Sequence, residues 1–206
     1  MATVYKSFLS DDVISTQNLL HESIPITGSI VSGTYADTNI KNYSHGRFHS
    51  VYDYNWLSSS SNHLYDITVG FSPNSSLSGS TGAIEESQKI QIYNQMAQVL
   101  VGHDITGSIL EFDRDGDFVA GGDKIRECVF LSFSRLLVKD EIKKGSTRLV
   151  IGTGSQSTPF DGTLKTIGDY GASTEYRVNS PAGEYGILYT GSAATEGTGV
   201  GIIYYQ

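Results

Sequence analysis

The chain has 206 residues, 38% of them hydrophobic, and a formal net charge of −8. That length suits one domain, and the acidity removes the counterion-release advantage on which DNA and RNA binders rely, so nucleic acid is not expected as a partner. A single cysteine, Cys128, rules out an intrachain disulfide, and no apolar run approaches the length of a membrane span.

The N-terminal "MATVYKSFLSDDV" has no basic stretch leading into an apolar one. Synthesis and folding in a cytosol are therefore expected. The 23 glycines and 13 tyrosines suit β structure with many turns, and they also suit contact surfaces.

In chain order, Ser10–Ser23 carries Val13, Ile14, Leu19 and Leu20 behind a Ser10 cap, which predicts a short helix ending before Pro25. "IPITGSIVSGTY" reads as extended chain broken by Gly28 and Gly33. The stretch Gly46–Ser72 concentrates Phe48, Tyr52, Tyr54, Trp56, Tyr65 and Phe71 around His49 and His63. Within it, "HLYDITVGF" alternates Tyr65, Ile67, Val69 and Phe71 with polar or small residues, the pattern of a strand with one apolar face. Ser72–Gly82 reads as a loop.

"AIEESQKIQIYNQMAQVLVGHD" predicts one strong helix, with Ile92, Met96, Val99 and Leu100 on a shared face and Gly102 as terminator. Its expected seat is a sheet containing Tyr65–Phe71. Ile109–Phe112 and Phe118–Ala120 flank Asp115-Gly116 and read as a hairpin. "CVFLSFSRLLV" predicts a strand with Val129, Leu131 and Phe133 on one side. Further strands are expected at Thr147–Ile151, Thr174–Val178, Tyr185–Tyr189 and Val200–Tyr205. Ser72–Gly82, Gly152–Thr174 and Gly191–Gly199 contain few side chains able to anchor them and read as loops that neighbours would order. The fold class expected is α+β, β-dominated, an antiparallel sheet or sandwich with one central helix. It comprises residues 1–206 as one domain, with an extended N-terminal segment and Gly-rich C-terminal loops.

Candidate chemistry is sparse. Asp113, Asp115 and Asp117 match the first ligands of an EF-hand loop, but its sixth position is Phe118 and its twelfth is Lys124 instead of Glu. A solvated hairpin tip is the plainer reading, and no metal is expected. His45, His49 and His63 lie near Asp53 and Asp66, yet no metal spacing or nucleophile elbow accompanies them. Cys128 falls inside a strand pattern and reads as a small hydrophobe. "GTGSQS" and "GTGVG" lack the Lys and the helix of a phosphate loop. No catalytic or cofactor-binding residue emerges, and no cofactor is expected.

"YKSFLSDDV", "LLHESIPITGSI", "SVYDYNWLSSSSNHLYDITVGFS", "IYNQMAQVLVGHD" and "SRLLVKDEIKKGS" together resemble a family of virion structural proteins of tailed bacteriophages, mainly large contractile-tailed phages including those of cyanobacteria. The resemblance covers roughly the first three quarters of the chain. It implies a non-enzymatic subunit of the tail, baseplate or neck, found in the virion, whose partners are other virion proteins and copies of itself. The expected interface residues are Tyr52, Tyr54, Trp56, Ile202, Tyr204 and Tyr205. Two rivals remain: a carbohydrate- or receptor-binding module presenting Trp56, Tyr54 and Tyr52, and a cell-wall hydrolase, which needs paired carboxylates in a cleft.

Overall fold

The computed structural model describes residues 39–44, 46–79, 84–118, 121–138, 141–153, 162–195 and 198–206. The helix expected over Ser10–Ser23 and the extended stretch after Pro25 lie outside the described residues, as does His45. In chain order the elements are β1 (Ile40–Asn42), β2 (His49–Tyr52), β3 (His63–Phe71), α1 (Ile84–Leu100), β4 (Phe112–Asp113), β5 (Lys124–Ile125) and β6 (Glu127–Phe133). There follow the single-turn α2 (Arg135–Val138), β7 (Arg148–Gly152), β8 (Leu164–Gly168), the single-turn α3 (Ala172–Glu175), β9 (Tyr185–Thr190) and β10 (Gly199–Tyr204). The fold is α+β and β-dominated, with every ladder among the described residues antiparallel.

One sheet has the order β1-β2-β3-β6, a second the order β10-β9-β8-β7, and β4 and β5 form a two-stranded sheet. In the first sheet β3 and β6 run in register from Tyr65↔Phe133 to Phe71↔Glu127. The expected apolar stripe is there: Ile67 and Val69 are buried together with Val51 of β2, and Phe71 is buried further along β3.

The helix does not sit on that stripe. A Cβ on Gly70 would lie 2.8 Å from the Lys89 carbonyl oxygen and 2.9 Å from the Tyr93 nitrogen. The backbone of α1 therefore rests on the opposite face of β3, the face of Thr68 and Gly70, where only glycine leaves room. The helix is also turned relative to the sequence reading. Its buried stripe is Lys89, Tyr93 and Ala97, with Met96 and Leu100 packed beside it, whereas Val99 is 69% exposed. An approach this close favours Ala97 at the contact. It also lets the Tyr93 hydroxyl reach past the sheet, donating to Ile125 O at 2.8 Å and accepting from Phe112 N at 3.2 Å. The expected terminator holds: Gly102 has φ 93 and its N–H returns to Ala97 O.

The core continues from α1 into the second sheet. Tyr93, Ala97, Val101, Phe112, Phe118 and Tyr185 form one buried cluster, flanked by Phe130 of β6 and by Ile202 and Tyr204 of β10. The carbonyl of Leu100, an orphan of the helix end, accepts the Tyr204 hydroxyl at 2.8 Å and the Ser180 hydroxyl. Beyond this, Asp169 is fully buried at the end of β8. It accepts from Gly145 N at 2.7 Å, Thr147 N at 2.9 Å, Arg148 at 3.2 Å and the Tyr205 hydroxyl at 3.0 Å.

Several expectations need correction. β8 lies inside a stretch read as a loop, and Thr174–Val178 is not a strand. Gly171, in the left-handed region, opens a helical turn there, and only the Arg177↔Tyr185 bridge follows. The Ser72–Gly79 stretch is anchored: Ser72 and Ser75 are buried, their hydroxyls bonded to Glu111 and Glu127. These anchors are polar, and a reading that counted apolar residues missed them.

Gly70→Ala is expected to lose about 1–3 kcal/mol of unfolding free energy by forcing α1 off β3. Val99→Ser should stay within about 0.5 kcal/mol, as exposed positions do. Urea denaturation of both variants checks the orientation of the helix, and the reverse ranking would refute it.

Candidate functional site

The acidic loop leaving β4 is built from the Asp113 carboxylate outward. Asp113 Oδ1 accepts Asp115 N at 3.1 Å, and Asp115 Oδ1 accepts Asp117 N at 3.2 Å, so two successive side chains fold the loop. The Asp115 and Asp117 side chains are solvated, as expected, but the backbone of the tip is anchored. Gly116 O accepts Tyr185 Oη at 2.8 Å and Asn179 Nδ2 at 3.0 Å. Phe118, at φ 57, inserts into the core against Tyr185, with ring centroids 5.4 Å apart. Nor does Phe118 belong to a strand: the hairpin pairs Phe112 with Ile125 and Asp113 with Lys124.

Asp113, Asp115 and Asp117 each place a carboxylate oxygen within 4.8 Å of the others. A cation already sits there, because the Lys124 ammonium bonds Asp113 Oδ2 with both side chains buried. Burial alone would push the Asp113 carboxyl up. The hydrogen bonding with Asp115 and the Lys124 ammonium outweigh burial and hold it below its ordinary value. Asp115 is pushed up, first by its hydrogen bond to Asp113 and then by its slight burial and the neighbouring negative charges. Lys124, the residue that breaks the EF-hand pattern, therefore supplies the positive charge the loop needs.

The His and Ser residues of the aromatic stretch form a different arrangement. Ser50 and Asp66 are cross-strand partners, and the Ser50 hydroxyl donates to Asp66 Oδ1 at 2.5 Å. His63 Nε2 bonds the same oxygen at 2.9 Å. The hydroxyl thus faces the carboxylate and not the imidazole, which is the wrong order for a base to activate it. His49 is fully buried opposite Ile67. Asp53 lies apart: its carboxylate receives Asn62 N at 2.7 Å and Asn62 Nδ2 at 2.8 Å, which closes a turn and lowers its pKa.

A shallow groove of about 210 Å³ runs beside Leu110, Glu111, Lys124 and Arg126. Burial would raise the Glu111 carboxyl, but bonds from Ser72, Asn74 and Arg126 dominate and keep it below the usual range. A general acid of a glycosidase needs the opposite shift. Cys128, half-buried with its thiol toward Ile125 O, is pushed up to about 12 by burial and then by Glu127, so it is no nucleophile at neutral pH.

The expected interface residues divide into two groups. Tyr54 is 65% exposed and Trp56 36%, and the Lys41 ammonium lies 5.5 Å from the Trp56 ring centre. Tyr52 is half-buried, its ring 5.4 Å from that of His63. Ile202 and Tyr204 instead pack against the central cluster, and Tyr205 is buried with its hydroxyl on Asp169. The rings of Tyr204 and Tyr205 serve this chain's own core, a use that a C-terminal run of apolar residues does not reveal.

The sequence reading missed one exposed apolar feature whose residues adjoin one another. β8 pairs with β9 at Ile167↔Thr190 and Gly168↔Tyr189, and Gly191 N bonds Thr166 O at 3.0 Å, so the far end of the β7–β8 hairpin, beyond Val150 and Thr166, runs past the sheet as a two-stranded ribbon. Leu149 is 36% exposed, Val150 52%, Ile151 41% and Leu164 49%. Register places Leu149 and Ile151 on one face, with Lys165 opposite Ile151, and Val150 with Leu164 on the other, beside Thr166, so both faces carry exposed apolar side chains. The signal was present in "RLVIG", three consecutive apolar residues without alternation. No helix among the described residues is long and apolar enough to cross a membrane. In comparisons with known proteins, no family model, no curated protein and no solved structure matches the chain.

Lys124→Met should destabilise the protein by about 3–5 kcal/mol at pH 7, because it leaves Asp113 buried and unpaired. In the native chain, the contribution of Asp113 is present above its ordinary value of 3.8 and is lost as the pH falls through the depressed folded value. The Lys124→Met deficit should therefore shrink toward acid, where Asp113 is neutral in both proteins. Thermal melts from pH 7 to 3 test this, and a deficit constant with pH would refute the pairing. Millimolar calcium should leave the native melting temperature unchanged, and a rise of many degrees that Asp115→Asn abolishes would show the loop to be a cation site.

Proposed function

We propose that this chain is a non-enzymatic structural subunit of a bacteriophage particle, in the tail, baseplate or neck, that works through contacts between subunits. The observation that carries this reading is the β7–β8 ribbon. An isolated two-stranded hairpin is marginal in water, and this one exposes Leu149, Val150, Ile151 and Leu164 over its two faces. Such a surface belongs against another chain. Further support comes from the candidate acid–base groups. Glu111, Asp113 and Asp169 are each tied to internal donors, and Asp66 joins two strands. The segments that resemble phage virion proteins point the same way.

Purified phage particles should contain this chain in fixed stoichiometry after washing in high salt, measured by quantitative mass spectrometry. Its loss on washing would overturn the reading.

A receptor- or carbohydrate-binding role on the same particle is favoured by one observation, the exposed Tyr54 and Trp56 rings beside Lys41. It requires that Trp56→Ala abolish binding on a glycan array with the melting temperature unchanged. If the native chain binds no glycan on that array, this second role is ruled out.

A further inference from the structure

We propose that the partner at the ribbon is a second copy of this chain, joined through the outer edge of β7 by antiparallel pairing with Val150 on the two-fold axis. The inference rests on the assembly reading above and names the contact. β7 is the terminal strand of its sheet among the described residues. Its outer edge therefore offers backbone donors and acceptors in a row. Natural edge strands of this kind are usually guarded by charge, proline or a bulge. Here the sequence is Arg148-Leu149-Val150-Ile151-Gly152, and its one charged side chain is at the base, turned back onto Asp169 at 3.2 Å and onto the Tyr170 ring at 4.1 Å.

That strand is complementary to itself. With Val150 opposite Val150, Leu149 meets Ile151 and Arg148 meets Gly152, so every apolar residue faces an apolar one and no charge faces a like charge. Pairing keeps corresponding faces on the same side. Leu149 and Ile151 of both copies then form one apolar patch, and Val150 of both copies forms a second between the Leu164 side chains. The result is one continuous sheet in the order β10-β9-β8-β7-β7-β8-β9-β10 across two subunits. The edge of β6 is the rival, since Val129 and Phe133 are exposed on it. Its opposite face, however, is already covered through Phe130 and Cys128 by the cluster around α1, whereas among the described residues the ribbon leaves apolar side chains exposed on both faces.

The register sets the test. Directly opposed residues of an antiparallel pair have Cα atoms about 4.5 or 5.5 Å apart, within the span of a disulfide. Val150→Cys should form a disulfide-linked dimer under mild oxidation. An equimolar mixture of Leu149→Cys and Ile151→Cys should give mixed dimers, with little from either variant alone. These two designs sample both kinds of opposed pair in the ladder, so at least one has favourable geometry. Native Cys128 should remain silent because its thiol is half-buried and pushed up to about 12. Thr166→Cys, one strand inward, serves as the control for random collision. Cross-linking in either design at least ten-fold above this control is the expected result. Equal cross-linking of the control, or none in either design with the variants folded by their melting curves, would overturn the pairing. Cross-linking is then repeated in particles carrying Val150→Cys. A chain present in the particle but never linked through residue 150 overturns the pairing and leaves the assembly reading standing. A chain missing from washed native particles overturns both.

Discussion

Everything in this fold depends on how closely α1 approaches β3. Gly70 has no side chain to hold the two backbones apart, and a methyl group there would fall inside contact distance of Lys89 O and Tyr93 N. From that contact the rest follows. The helix presents Lys89, Tyr93 and Ala97 to the sheet, so the Tyr93 hydroxyl arrives between Phe112 and Ile125 and satisfies one backbone group from each. The helix C-terminus then emerges beside Tyr204 and Ser180, which take up the Leu100 carbonyl and bind the second sheet to the first. Side chains of this one helix thus organise both sheets, and a small displacement at Gly70 would reach all of them through a densely packed interior.

The acidity of the chain has a structural use as well as a solvating one. Asp169 gathers donors from Gly145, Thr147 and Arg148, which lead into β7, and from Tyr205 after β10, so one carboxylate fastens two distant segments to the end of β8. Asp113 does the same with Lys124 and the Asp115 backbone. Lys144 is the complementary case. Burial alone would lower its pKa, but Glu141 and Glu184, each at 2.6 Å, outweigh this and raise it. A buried charge is tolerable only when its hydrogen-bonding capacity is filled, and each of these groups meets that condition inside the chain.

Local pattern made part of this legible. Alternation revealed β3 and the facing of Val129, Leu131 and Phe133, and the terminator Gly102 revealed where α1 stops. What remained hidden depends on partners far along the chain. The rotation of α1 is set by Gly70, which a helix-only reading does not consult. β8 has a weak strand sequence, "LKTIG", and exists because β7 pairs along its whole length. The loop at Asp115-Gly116 looked like a two-residue hairpin turn, but its tip is held by Tyr185 and Asn179 from beyond β8. At the surface, Trp56 and Tyr54 are conspicuous as aromatic residues, while Leu149–Ile151 exposes three consecutive aliphatic side chains that carry no polar tip.

A ribbon this apolar is tolerable only under particular conditions. In a monomer working alone at high concentration, an unguarded β7 edge would recruit any extended chain and lead to open-ended aggregation. A two-fold pairing closes on itself, because both copies use the same edge and none is left over. The short strand also limits the strength of a single contact. Five residues bury far less than the roughly 800 Å² per partner typical of a stable interface. Such a contact is weak between free subunits and becomes durable when other contacts hold both copies in place, since the second association is then effectively intramolecular. A weak, self-closing, two-fold edge would therefore hold only where other contacts already keep both copies side by side.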